Sequence, residues 1–340
     1  MAVTAYAAEG QTAPLFTSHD VVSVTITAPF KQLMRERSPE EEAQGTLAYQ
    51  DPGAGEVTLD IGTRTRGHFR RRSDVCRFVP LRLNFRKTKG TLFAKSDKIK
   101  LVTHCRSRTS RYTQAVLREY IAYRILNLLT DRSFRVRLLR VKYVESTDGR
   151  FVDDNYAFLI EHHEQLGKRI GLERNPVERT SIPDLDSAYT NLVSVFQFLV
   201  GNTDFSPIEA REGEPCCHNH VLMGDKPGAI LSVPYDFDMT GFVSAPYARP
   251  NKRFGLRNVR ERLYRGRCVH NAHLEASLQR VREQRDAMYA LVETTPGLSA
   301  SSTRLTKSYL DSFFKLIDSP RNVERQIVDN CLGTGIKRLT

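Results

Sequence analysis

The chain has 340 residues, with 51 Lys and Arg against 39 Asp and Glu and a formal net charge of +12. At 40% hydrophobic and 26% charged residues it is a globular composition, not a disordered or fibrous one, long enough for one large domain or two moderate ones. No stretch approaches the roughly eighteen uninterrupted apolar residues of a membrane span, and the basic excess favours anionic partners such as nucleic acid, lipid headgroups, nucleotide phosphates or acidic protein.

Residues 1–14 are small and polar and read as a disordered tail. Within them, Ala5-Tyr6-Ala7 before Ala8 has the small-x-small form of a signal-peptidase site, but no basic and apolar regions precede it. Two readings stand: a trimmed signal remnant, which tips the balance slightly to an exported, periplasmic protein, or a cytoplasmic tail. Residues 19–32 mix alternation with β-branched side chains and predict a strand. The charge run and Pro-Gly punctuation of 35–54 predict a loop. Three β segments follow at 56–67, 78–85 and 99–105. Apolar spacing predicts an amphipathic helix over 113–129. Strands are predicted over 135–145 and 156–163, split by the turn Ser146-Thr147-Asp148-Gly149. Arg135, Arg137 and Arg140 interrupt the first of these as its solvated face. Helices are then predicted at 186–201, 271–294, 301–318 and 322–332, with a β insertion at 229–237. This order predicts an α+β, two-lobed protein-kinase-like fold: a β-rich N-terminal lobe with one helix over 15–165, and a mainly helical C-terminal lobe over 166–340.

Chemistry concentrates between Leu199 and Gly241. Asn202 and Asp204 close an apolar helical run, Asn219 lies between His218 and His220, and Asp236 and Asp238 end a short hydrophobic strand. An Asp, an Asn and a strand-terminal Asp in this order suit phosphoryl transfer. Asp204 would orient or deprotonate a hydroxyl. Asn219, Asp236 and Asp238 would offer hard oxygens to Mg²⁺ or Mn²⁺. The same residues also suit ordinary capping and turns. Upstream, Lys100 interrupts an apolar strand, as a lysine on the α/β-phosphates of ATP would, with Glu119 of the following helix as its partner. The alternative is the wet face of an alternating strand. Glu161 ends the strand where backbone groups would meet an adenine, and Arg66-Gly67 marks either a turn near phosphates or a surface hairpin.

Six cysteines lack regular metal-ligand spacing. Cys216, Cys217, His218 and His220, with Cys268 and His270, form a rival zinc set; alternatively Cys268 bonds Cys216 or Cys217 in an oxidising compartment.

The order TRTRG, VPLRLNF, IKLVTHC, LREYIAYRILN, YAFLIE, VFQFLVGNTD, HNH and VPYDFD, over roughly residues 56–245, resembles the CotH-type atypical kinases and, more distantly, HipA-like kinases. The resemblance implies ATP, a divalent metal and a protein hydroxyl as acceptor. It places Lys100 and Glu119 at the nucleotide, Asp204 at the catalytic position, and Asn219 and Asp236 at the metal. Three features depart from it, the first being that Phe205, and no lysine or arginine, directly follows Asp204. Asn219 follows Asp204 by fifteen positions, where many kinases use about five, and no Gly-rich loop is evident. The alternatives are a nucleotide- or partner-binding protein without transfer activity, and a basic polyanion-binding protein; a nucleic-acid role rests on charge alone.

Overall fold

The structure, a computed structural model, describes residues 12–210, 214 and 216–333. The expected tail falls mostly on residues 1–11, outside the described residues. The described chain divides into two compact units: residues up to Tyr120 with Phe134–Arg169, and Ile121–Ser133 with Ile170 onward.

The first unit is built on seven strands: β1 (Val22–Ala28), β2 (Ala43–Asp51), β3 (Gly55–Thr65), β4 (Leu81–Phe85), β5 (Lys98–Val102), β6 (Val136–Glu145) and β7 (Phe151–Ile160). They pair in the order β1-β2-β3-β4-β5-β7-β6, and β6 runs parallel to β1 with Val24 opposite Val141, closing a barrel. This overturns the two-lobed kinase-like expectation, whose β-rich lobe is an open sheet. The physical cause lies in residues 35–54. They are not a loop: after the short helix α1 (Phe30–Glu36) they form β2, which pairs with β1 on one side and β3 on the other. Once β1 has β2 on one edge, its other edge is taken by β6, and no edge remains open. Gly45 allows the close approach of β2 to β1, since a Cβ there would run into the carbonyl oxygen of Thr27.

Alternation fills the interior. Val24, Ile26, Leu47, Ile61, Leu83, Ile99, Val141 and Leu159 belong to one buried core, each stabilising by about 1.5–3 kcal/mol when fully buried. Residues 13–16, expected partly in the tail, join that core: Ala13, Leu15 and Phe16 are buried. Arg137 is not solvated as expected. Its Nη1 donates to the carbonyls of Leu15 at 3.1 Å and Ser18 at 2.7 Å. Helix α2 (Ser110–Leu129) lays Tyr120 against Phe158 of β7, and α3 (His163–Ile170) follows β7.

The second unit contains α4 (Ser187–Val200), the hairpin β8 (His220–Met223) and β9 (Leu231–Pro234), and α5 (Leu274–Glu283), α6 (Arg285–Thr294), α7 (Ala300–Ile317) and α8 (Pro320–Val323). The helix expected over 271–294 is broken at Gln284, which caps α5 and leads into α6. The β insertion is a hairpin because β8, too short to read locally, supplies its partner.

Candidate functional site in the second unit

Asp186 starts α4 by accepting from the Tyr189 amide at 2.8 Å, a side-chain cap that satisfies an orphan donor. Gly201 ends the helix at φ 65°, where a Cβ would meet the Tyr309 hydroxyl. The amides of Gly241 and Phe242 donate to the carbonyls of Gly201 at 3.1 Å and Val200 at 3.0 Å. The end of α4 thereby pins the loop that follows β9 beside the loop carrying Asp204.

A buried polar chain sets the Asp204 loop. Asn202 Oδ1 accepts from the Asp204 amide at 2.9 Å, and Asn202 Nδ2 donates to Gln197 Oε1 at 2.9 Å. Gln197 Nε2 then faces His220 Nε2 at 3.2 Å, and His220 Nδ1 lies 3.1 Å from the Ser232 carbonyl. The Gln197 amide nitrogen can only donate, which assigns the proton of a neutral His220 to Nδ1. Burial pulls the His220 pKa down to about 3, in keeping with that neutral form.

Asp204 itself is half-buried. His218 Nε2 lies 2.9 Å from its Oδ1. Asn219 Nδ2 donates to the Asp204 carbonyl at 2.6 Å and to Oδ2 at 3.3 Å. The backbone of Asn219 reaches the other way, its carbonyl accepting from the Tyr235 amide at 2.9 Å. Asn219 is therefore tied at one end to Asp204 and at the other to the residue before Asp236. The hairpin register explains this: His220 pairs with Pro234, so Asn219 and Tyr235 face each other just beyond the ladder.

Asn219 and Asp236 both adopt left-handed backbone, at φ 57° and 65°. Asn and Asp enter this region more readily than most residues, and such positions gather at functional sites. The Asp236 amide donates to the Tyr123 hydroxyl at 2.8 Å, and Phe237 packs between Tyr123 and Phe196. No hydrogen bond or ion pair among the described residues holds the half-buried Asp236 carboxylate. Asp238 is 6% exposed and accepts from the Tyr247 hydroxyl at 3.0 Å. From a distant segment, Arg265 donates to the carbonyls of Thr203 at 3.1 Å and Phe205 at 2.7 Å, on either side of Asp204. Its guanidinium stacks on Phe205 and Phe254, and burial draws its pKa down to about 10.

The structure thus brings Asp204 and Asn219 into direct contact, and the hairpin carries Asp236 and Asp238 on the adjoining loop. The other expected residues belong to the first unit. Lys100 is half-buried on β5, and Glu119 is buried on α2. Glu161 forms a buried ion pair with Arg169 at 2.8 Å and accepts from the Arg135 amide at 3.1 Å. Arg66 donates its amide to the Pro80 carbonyl at 3.0 Å. Gly67 is exposed at φ 77° with open space where a Cβ would stand.

The zinc set does not assemble. Cys216 pairs with Cys217, Cys268 with Cys331 rather than with either of them, and Cys76 with Cys105, so no thiolate is left to ligate. His218 serves Asp204 and His220 is locked in the buried chain. Among the described residues, the only His/Cys/Asp/Glu group close enough to hold a metal is His162-His163-Glu164. His218 and Arg265 were not expected as partners of Asp204. His218 carried a signal in its place beside Asn219, whereas nothing local marked Arg265. No family model matches the chain, and no curated protein is significantly similar to it.

Proposed function

We propose that the chain is an ATP- and divalent-metal-dependent phosphotransferase acting on a hydroxyl. The observation that carries this is the double attachment of Asn219, whose amide holds Asp204 while its carbonyl holds Tyr235 beside Asp236. That arrangement supports one base and a set of hard oxygen ligands at the end of a single hairpin. Caps and turns alone would not require it.

The donor set fits Mg²⁺ or Mn²⁺. Asp236, Asp238 and Asn219 Oδ1 are hard oxygens, and both side-chain bonds of Asn219 use Nδ2. A divalent ion held there would neutralise charge on the transferring phosphate. The protein's own residues do the rest. Asp204 accepts the proton of the acceptor hydroxyl or fixes its direction, His218 and Asn219 hold the carboxylate in place, and Arg265 fixes the loop from behind. ATP as donor and a protein as acceptor come from the motif order that resembles CotH-type kinases. Pairing of all six cysteines supports an oxidising compartment and hence export.

The test is label transfer from γ-labelled ATP with Mg²⁺ or Mn²⁺, to the protein itself or to a generic protein acceptor. The wild type is expected to transfer label, and Asp204→Ala and Asp236→Ala to abolish it. Nucleotide-raised melting temperature without transfer would instead favour a binding protein.

A further inference from the structure

Residues 246–267 of the second unit hold eight basic side chains and one acidic one, and this segment packs on the candidate site. The Tyr247 hydroxyl donates to Asp238 Oδ2 at 3.0 Å. A Cβ at Gly241 would run into the Val259 carbonyl and the Arg260 backbone, so the middle of the segment lies on the loop that carries Asp236 and Asp238. Between these two contacts, Asn251 caps the short turn Lys252–Phe254 by accepting from the Arg253 amide at 3.1 Å. The Arg265 guanidinium lies over both Phe254, at 4.6 Å, and Phe205, at 4.7 Å. One cation therefore joins that turn to the residue after Asp204.

The eight cations divide by what they do. Arg262, Arg265 and Arg267 bond carbonyls, Arg260 stacks on Tyr309, and Arg249 bonds carbonyls of its own turn. Lys252, Arg253 and Arg257 are exposed, and their side chains make no hydrogen bond, ion pair or ring contact among the described residues. Glu261, the one acid, does not pair with them. Its Oε1 accepts from the amides of Arg257 at 3.1 Å and Asn258 at 3.0 Å, and from Asn258 Nδ2 at 2.8 Å. A charge run is ordinarily a solvated face, but this one is fastened beside three carboxylates, Asp204, Asp236 and Asp238, that by themselves would repel an acidic chain and draw a basic one. The three cations reverse that preference for whatever crosses the turn. The aromatic side chains of the segment are engaged: Tyr247 bonds Asp238, Phe254 lies under Arg265, and Tyr264 is buried. They offer no platform for stacked bases, which favours carboxylates over nucleic acid. An extended chain rises about 3.3 Å per residue, so acids a few positions from a hydroxyl at Asp204 reach the turn. We propose that Lys252, Arg253 and Arg257 dock an acidic protein segment, with Asp or Glu within a few residues of the hydroxyl it presents to Asp204. This rests on the phosphotransferase proposal and names the chemistry of its acceptor.

Fluorescence anisotropy with the full chain, without ATP or metal and at about 0.1 M salt, reads the docking alone. The probes are a labelled serine peptide flanked by Asp and Glu, its Asn- and Gln-flanked analogue, and a Lys-flanked one. The acidic peptide is expected to bind at least about tenfold more tightly than the amide analogue, which is about 1.4 kcal/mol. That preference should vanish in the triple variant Lys252→Gln, Arg253→Gln, Arg257→Gln, whose melting temperature should stay level because the three side chains are exposed and unbonded. It should persist in Arg304→Gln, an exposed cation of α7, and shrink as salt rises to about 0.5 M. Equal binding of the acidic and amide peptides, preference for the Lys peptide, or an acidic preference kept by the folded triple variant would overturn the proposal. So would binding of duplex DNA through the three cations in preference to the acidic peptide. Label transfer separates this proposal from the one it rests on. Transfer to all three peptides with equal kcat/KM would overturn acidic docking and keep the phosphotransferase, whereas cation-dependent acidic binding without transfer to any peptide would overturn the phosphotransferase and keep the docking surface.

Discussion

Asn219 is one amide with two duties, and its left-handed backbone lets it perform both: the side chain turns to Asp204 while the carbonyl meets Tyr235. The residue types at this site were legible in the sequence, because an Asp, an Asn and a strand-terminal Asp are hard donors wherever they fall. Their partners were not. His218 read as a zinc ligand until the cysteines beside it paired, and Arg265 comes from a segment with no local mark. A second residue-scale arrangement lies in the first unit, where fully buried His104 sits 2.8 Å from Asp153. Burial pushes the Asp153 carboxyl up, but bonds from His104 and Ser107 prevail and hold it at about 2. A carboxyl depressed from its ordinary 3.8 gives stability that is fully present above that value and lost as pH falls through about 2. Asp153→Asn is therefore expected to lower stability at neutral pH by about 1–2 kcal/mol, allowing for solvent screening, and to flatten the acid limb between about pH 4 and 2. Urea unfolding across that range checks both. An unchanged acid limb would mean that His104 does not hold the carboxylate.

Among the elements, long periodic segments were legible and short ones were not. Helices α2, α4 and α7 stand within a few residues of their expected spans, because many turns of apolar spacing define them. Strand β2 was missed because only Leu47 and Tyr49 are buried along it and a charge run precedes it. β8 has only four residues. Alternation in β1 gives a buried face but names no neighbour, so its parallel pairing with β6 could not be read from local pattern. If the barrel is closed, amides along both edges of β1 are bonded, and hydrogen exchange should show Val22–Ala28 protected at every second amide and at those between. Protection on alternate amides alone would indicate an open edge. The disulfide Cys268–Cys331 ties positions 63 residues apart, at the point where the amides of Cys268 and Leu332 bond the carbonyls of Leu332 and Gly266. In the chain-entropy model a loop of that length is worth about 4 kcal/mol. Cys331→Ser is expected to cost about 2–4 kcal/mol in denaturant unfolding, and reductant to bring the wild type toward the variant.

At the scale of the whole molecule, the net charge of +12 favours anionic partners without marking a place for one. Register sets Arg64 of β3 opposite Arg82 of β4, and Arg82 opposite Lys100 of β5, while other arginines turn structural: Arg137 within the first unit, Arg262 and Arg265 within the second. No helix among the described residues is long and apolar enough to cross a membrane. Charge counts in the sequence cannot separate arginines that bind carbonyls from those that do not, because the carbonyls they meet lie far along the chain. The central claim is that the acids gathered by the β8–β9 hairpin transfer phosphate. Its most direct test is γ-phosphate transfer from labelled ATP by the purified full chain with Mg²⁺ or Mn²⁺. The account predicts labelling by the wild type and none by Asp204→Ala or Asp236→Ala proteins that remain folded. Labelling that survives both substitutions, or none by the folded wild type with either metal and a protein acceptor, would contradict it.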